Sequence, residues 1–241
     1  MSHIKPIPSN SATKKEQVEE MFDSISPKYD FLNHFLSLGI DNIWRKKCVN
    51  TLKEINPKNV LDIATGTGDL AIASLKLNPE KITGLDLSAG MLEKGKEKMK
   101  KRGYDTIIEM IKGDSENLPF DDNTYDASTV GFGVRNFQDL SLGLNEIYRV
   151  LKPGGKIAIL EFSKPTNPIF KGLYNFYFLR ILPLFGKLFS SSNSAYTYLP
   201  KSVQAFPDGD DFLKVLNNCG FKNTTSTPLT FGICSIYTGI K

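Results

Sequence analysis

Val60, Leu61 and Ile63 form a short apolar run that stops against a loop of small residues, Ala64-Thr65-Gly66-Thr67-Gly68, and comparable runs recur down the chain. The pattern predicts strands at Asn59–Ile63, Lys81–Leu85, Thr106–Ile111, Tyr125–Val130 and Lys156–Phe162. Between them, apolar positions three and four apart predict helices at Asp69–Leu77, Ala89–Lys101 and Asp139–Leu151. Short apolar strands alternating with helices point to a doubly covered, mostly parallel α/β sheet. Ligands of such sheets bind beyond the carboxyl ends of the strands. The loops after Ile63, Leu85, Ile111, Val130 and Phe162 are therefore the ones to search.

The flanks read differently. Val18, Met21, Phe22 and Ile25 mark one helix face that Pro27 ends; Phe31, Leu32, Phe35 and Leu36 repeat the figure up to Gly39. Trp44, Cys48, Leu52 and Ile55 mark a third helix closed by Asn56-Pro57. After Ser163 the alternation gives way to an aromatic-rich stretch. It resumes with a helix at Asp210–Asn218, stopped by Gly220, and two strands, Phe221–Thr227 and Phe231–Ile240, meeting around Pro228-Leu229. The expected organisation is a flexible N-terminus over 1–14 and one domain over 15–241. That domain divides into a helical prelude (15–56), a core (57–163), an insert capping the active-site edge (164–206) and a final helix and strands (207–241).

Composition narrows the class without naming a function. With 241 residues, 40% hydrophobic and 23% charged, the chain can bury one large core. A net charge of +4 is too small to argue for nucleic acid and is compatible with an anionic membrane surface. Cys48, Cys219 and Cys234 are scattered and odd in number, which argues against a disulfide framework or a zinc cluster and for a reducing, cytoplasmic setting. The N-terminal residues have no apolar core and read as a lead-in rather than a signal peptide. The stretch Pro168–Phe189 contains Lys171, Arg180, Pro183 and Lys187, so it is not read as a membrane span.

The candidate chemistry lies at the strand ends. Gly66-Thr67-Gly68 with Ala71 fits G-x-G-x-x-A, where a loop poor in side chains lets backbone approach a ligand. Asp86 closes the second strand 19 residues beyond Thr67, where an acid can accept both hydroxyls of a ribose. Asp62 either meets the ligand or caps the turn that follows it. Asp114 could accept from an adenine amino group beside the Ser115 amide, or simply form an Asx turn. Gly131-Phe132-Gly133 exposes backbone beside Arg135 and Asn136, where the arginine meets either an anion or a surface carboxylate. His34 on an apolar helix face is more often packed than catalytic, Asp30 can cap the helix that Tyr29 opens, and the turn Lys152-Pro153-Gly154-Gly155 carries no chemistry. These residues call for a nucleoside but leave open which one, so a nicotinamide-dependent oxidoreductase fits the same loop and acid.

The combination of motifs goes further. D-x-A-x-G-T-G, GLDLS, GDSENLPF, YDASTVGFGVRN and RVLKPGGKIAILEFS together resemble the class I methyltransferases that use S-adenosylmethionine. More narrowly, Arg149–Ser163 and Tyr29–Trp44 resemble the two signatures of the demethylmenaquinone and ubiquinone-precursor C-methyltransferases. Leu32 stands where that pattern has methionine, and Asp41 where it often has histidine. The resemblance covers about residues 15 to 241 and implies a Rossmann-like sheet with a C-terminal antiparallel hairpin. It implies methylation of a prenylated quinol ring, demethylmenaquinol or a ubiquinone precursor. It places Gly66, Thr67 and Gly68 on the methionyl portion of the cofactor, Asp86 on the ribose and Asp114 with Ser115 on the adenine. Gly131, where some relatives carry serine, keeps only a backbone contact. Arg135 and Asn136 then face the ring hydroxyl, and Tyr29 and Asp30 form the opposite wall. No metal is implied. The apolar tail of the substrate suits the aromatic insert around Tyr174, Phe176, Tyr177, Phe178 and Leu182, and implies transient contact with a membrane surface. A homo-oligomer, a quinone-biosynthetic complex and a non-catalytic scaffold in such a complex are compatible with the same residues. Nucleic-acid methylation is disfavoured, because the fourth-strand loop lacks an Asn-Pro-Pro-aromatic grip and no Pro-Cys nucleophile occurs.

Overall fold

The computed structural model describes residues 4–30, 37, 39–176 and 194–241. The predicted second prelude helix, with Phe31, Leu32, His34, Phe35 and Leu36, lies outside the described residues. So do Tyr177, Phe178, Arg180, Leu182 and Lys187 of the insert, and the side chains of Lys171 and Phe176.

Among the described residues, seven strands form one sheet in the order β3-β2-β1-β4-β5-β7-β6. They are β1 (Asn59–Ile63), β2 (Lys81–Asp86), β3 (Ile108–Lys112), β4 (Tyr125–Gly131), β5 (Leu151–Phe162), β6 (Lys222–Leu229) and β7 (Cys234–Ile240). The first five are mutually parallel, and β7 runs antiparallel between β5 and β6. The chain reverses its winding at β1, which has β2 on one side and β4 on the other. That switch point is where an open α/β sheet leaves a crevice at its carboxyl edge.

The helices are α1 (Lys14–Ile25), α2 (Ile40–Asn50), α3 (Asp69–Ser74), α4 (Ala89–Arg102), α5 (Leu140–Val150), α6 (Pro168–Phe176), α7 (Ser194–Ala205) and α8 (Asp210–Asn218). Their ends follow local chemistry. Thr13 and Glu16 form a capping box at the start of α1, Ser88 accepts the Met91 amide at the start of α4, and Asp139 accepts the Leu142 amide ahead of α5. Residues 4–13 are tied back to α1, with the Ile7 amide donating to the Gln17 side chain at 2.9 Å.

One face of the sheet packs Leu144, Ile147 and Phe212 from α5 and α8 against Leu61, Ile63 and Ile159. The other packs Trp44, Cys48 and Met99 from α2 and α4 against Val60, Ile82 and Leu160. A third, smaller cluster joins α1 to α6 and α7 through Val18, Met21, Tyr174, Tyr198 and Val203. It seats α1 over the carboxyl edge of the sheet.

Candidate active site

Beneath α1 lies a cleft with about 720 Å³ of space between atoms. Its floor comes from the strand ends: Ala64 and Gly66 after β1, Asp86 to Ser88 after β2, Gly113 to Glu116 after β3, and Gly131 to Gly133 with Asn136 after β4. Lys15, Val18, Glu19 and Phe22 of α1, with Tyr29, close it from above. Of the sequence candidates, Gly66, Asp86, Asp114, Ser115, Gly131, Asn136 and Tyr29 line this cleft. Asp62, Thr67, Gly68, Asp30 and Arg135 do not line it.

The first loop turns so tightly that Ala64, Gly66 and Gly68 all take positive φ, at 51°, 58° and 86°. At Gly68 an added Cβ would also press the end of the Met99 side chain, which would have to move aside. Asp86 fixes the loop against the next strand. One carboxylate oxygen accepts the Gly66 amide at 2.7 Å and the other the Ser88 amide at 2.9 Å. Burial pushes its pKa up, and the backbone donors pull against that shift.

Asp62 has a different task. It is fully buried, accepts hydroxyl hydrogen bonds from Thr65 at 2.5 Å and Thr129 at 2.7 Å, and takes the Ala71 amide. The Thr129 bond follows from the β1–β4 register, which sets Asp62 beside Thr129. The carboxylate thereby ties β1, β4 and α3 together behind the loop.

Thr67 is 2% exposed, and its hydroxyl donates to Asp30. Lys98 Nζ gathers the Thr67 hydroxyl, Asp30 and Asp69, and Asp69 also faces Arg45, which pairs with Asp41. The loop is clamped from behind by charge. At the far end of the cleft, Asp114 accepts the Glu116 amide in an Asx-type turn and pairs with Lys15 at 2.6 Å; Lys15 also reaches Glu116 at 3.0 Å. Lys14, beside it, donates to the carbonyls of Arg135 and Phe137.

Arg135 meets a carboxylate inside the protein. Its guanidinium pairs with Glu161 at 2.8 Å, donates to the Phe132 carbonyl and lies over the Phe162 ring at 5.6 Å. Glu161 is fully buried, and desolvation holds its pKa above the usual carboxylate range against the opposing pull of Arg135. Arg135 Nε and Asn136 Oδ1 are buried without a partner among the described residues. Phe132, at φ 56°, and Phe162 pack 4.7 Å apart beside Trp44. At Gly131 an added Cβ would press Leu70 at 3.0 Å.

The whole chain outside its first residues matches the ubiE/COQ5 methyltransferase family, over residues 10–241. The chain belongs to that family. A demethylmenaquinone methyltransferase of Bacteroides fragilis is 49% identical over 239 residues, 99% of this chain and 97% of that protein. A protein of Geotalea daltonii named ubiquinone/menaquinone biosynthesis C-methyltransferase UbiE is 49% identical over 230 residues, 95% of this chain and 97% of its own. Among solved structures, a SAM-dependent methyltransferase of Thermotoga maritima aligns with TM-score 0.63 at 20% identity, covering 92% of this chain and 99% of its own. One from Aquifex aeolicus aligns with TM-score 0.57 at 20% identity, covering 79% and 87%. The fold is thus that of the class I methyltransferases, as the motif resemblance implies.

In this member of the ubiE/COQ5 family, contacts across the fold reveal site residues that sequence reasoning missed. Lys15, Glu116, Asp23 and Glu161 all shape the site. Only Glu161 left a visible trace, as a lone acid inside the apolar run Ile157-Ala158-Ile159-Leu160-Glu161-Phe162, where a buried charge demands a partner.

The fully buried Asp62 gives a prediction about pH. Burial raises its pKa from 3.8 to about 6. Between those values the folded protein holds a proton that the unfolded chain has released, so stability falls as pH rises through the window, by at most about 3 kcal/mol from this residue. Asp86 and Glu161 are shifted upward too and act with the same sign. Urea unfolding at pH 4.5 and 6.5 should therefore show a shallower loss for Asp62→Asn than for the wild type; equal slopes would remove Asp62 as a source.

Proposed function

We propose that this protein transfers a methyl group from S-adenosylmethionine to a ring carbon of a prenylated quinol, converting demethylmenaquinol to menaquinol. The observation that carries the reading is the 49% identity, over 99% of the chain, to a protein named demethylmenaquinone methyltransferase. The cleft supports it. Asp86 is held by the backbone amides of Gly66 and Ser88, one on each oxygen, and would turn its remaining acceptor capacity to the ribose hydroxyls. Asp114 and Ser115 would hold the adenine, and the backbone of Gly66 to Gly68 the methionyl portion. Gly131 would offer backbone only. When bound, the cofactor supplies an electrophilic methyl on a cationic sulfur.

The protein's own residues must make the ring carbon a nucleophile, which requires an adjacent hydroxyl to ionise. Arg135 Nε, without a partner among the described residues, would donate to the resulting phenolate, and the Glu161 pair holds the guanidinium in place. Asn136 Oδ1 accepts from the ring hydroxyl and orients it. Tyr29, packed edge-on against Phe22, forms the opposite wall, and Asp30 steadies it through Thr67 and Lys98. The aromatic wall of Phe132, Phe162 and Trp44 excludes water, and the ring proton leaves to solvent.

A membrane-borne tail calls for contact with the inner face of the membrane. Exposed Ile169 and the stacked pair Phe170–Phe231, with rings 3.9 Å apart, support a peripheral approach, and no helix among the described residues is long and apolar enough to cross a bilayer. Mass spectrometry tests the reaction: reduced demethylmenaquinone incubated with methyl-deuterated S-adenosylmethionine should gain one trideuteromethyl group. Tight S-adenosylhomocysteine binding without transfer would favour a scaffold, and stabilisation by NADH alone would reject the cofactor.

A further inference from the structure

One buried polar group on the cap side has no role in the fold. Tyr198 lies on α7, is 3% exposed, and its hydroxyl has no hydrogen-bond partner among the described residues. Its ring packs in the apolar cluster of Val18, Met21 and Val203, where phenylalanine would fill the same space. A buried hydroxyl left unpaired costs stability, and native structures keep such groups where a ligand or a chemical task completes them.

The neighbourhood supplies the task. α7 packs against the turn Val134–Asn136, the same turn on which Arg135 Nε and Asn136 Oδ1 are also buried and unpaired. Arg135 and Glu161 both act electrostatically on Tyr198, which places its ring within the field of that ion pair. Two donors and one acceptor without a partner among the described residues thus lie on two elements in contact, α7 and the turn after β4. That set is complementary to a hydroxyaromatic ring, one of whose oxygens is ionised.

We propose that Tyr198 is a substrate-binding residue, its hydroxyl donating a hydrogen bond to a ring oxygen of the quinol alongside Arg135 Nε. The inference rests on the quinol reading above and assigns a residue that the sequence motifs did not mark. It also fixes the direction of the bond. Burial raises the Tyr198 pKa to about 12, so the group stays a donor at neutral pH and does not serve as the base. The site should then favour rings with a free oxygen next to the reacting carbon over rings whose oxygen is masked as an ether.

Tyr198→Phe isolates the hydroxyl. With S-adenosylmethionine saturating and a short-chain demethylmenaquinol varied, kcat/KM for the quinol should fall roughly ten- to a hundredfold, the loss expected for a hydrogen bond to a charged acceptor. The Kd for S-adenosylhomocysteine should stay within twofold, and the melting temperature should hold or rise, because an unpaired group has been removed. An unchanged kcat/KM overturns the assignment. So does a fall matched by equal weakening of S-adenosylhomocysteine or by a lower melting temperature, which would mark a packing residue. A wild-type protein that binds S-adenosylhomocysteine yet methylates no quinol refutes the proposed reaction and this inference with it, and that result is read before any variant is made.

Discussion

Replacing Asp86 with asparagine should weaken S-adenosylhomocysteine binding at least a hundredfold. The carboxylate holds the Gly66 amide on one oxygen and the Ser88 amide on the other, so the strand-end loop and the turn into α4 are both hung on it. Asparagine cannot replace it, because its NH2 group must point at one of those two N–H groups, donor against donor. One loop contact is lost together with one of the two acceptors for ribose. Hydrogen bonds to a charged group contribute about 1.5–3 kcal/mol each, so losing the ribose bond and misplacing the loop removes about 3 kcal/mol of binding, or a factor near a hundred. Titration calorimetry with S-adenosylhomocysteine measures it directly. An affinity within threefold of the wild type would show that the ligand does not use Asp86.

The second large effect concerns stability. Glu161→Ala strips the partner from a guanidinium that is itself buried, and removing one member of a buried pair costs about 3–5 kcal/mol. Glu161 also accepts the Phe162 amide at 2.9 Å, so the loss falls at the upper end. For a domain whose whole stability is about 5–15 kcal/mol, that is a large share. The double replacement Arg135→Met with Glu161→Leu should recover most of it, because no stranded charge is left. Urea unfolding of the two variants checks the pair, and a loss below about 1 kcal/mol for Glu161→Ala would mean that water reaches Arg135.

How far the chain could be read in advance depended on whether a feature is local. Apolar strand runs are set by neighbours in sequence, and β1, β2, β4 and the capped helices fall where periodicity puts them. Departures arise where a turn outlasts the apolar pattern. β3 begins at Ile108 rather than Thr106, because the Ile107 and Ile108 amides still donate to Tyr104. β7 begins at Cys234, since Thr230 and Phe231 take φ of 46° and 58° in a tight turn. α2 ends at Asn50, and a separate turn at Lys53–Ile55 closes on Asn56 at φ 42°. β5 runs back to Leu151 through the Lys152-Pro153-Gly154-Gly155 turn and includes it in the strand.

The site was legible as a set of strand ends and illegible as a set of partners. Nothing in the spacing of Arg135 and Glu161, 26 positions apart, announces that they pair, and the same holds for Lys15 with Asp114 and Lys98 with Asp30. Such pairs are decided by which loops and helices the folded sheet brings together. The resemblance implies that the Thr67 loop touches the methionyl portion of the cofactor, and the Thr67 hydroxyl itself is engaged by Asp30 and Lys98.

The helix that roofs the cleft is also wired to the turn beside Asp86. Asp23, near the end of α1, accepts the Ser88 hydroxyl and, at 2.9 Å, the Gly90 amide. That amide is an otherwise open donor in the first turn of α4, and it is sheltered by a side chain 67 positions away in sequence. Its rate of hydrogen exchange therefore reports how often α1 leaves its seat, and does so without any ligand, substrate or turnover. A single backbone proton keeps count of the roof's openings.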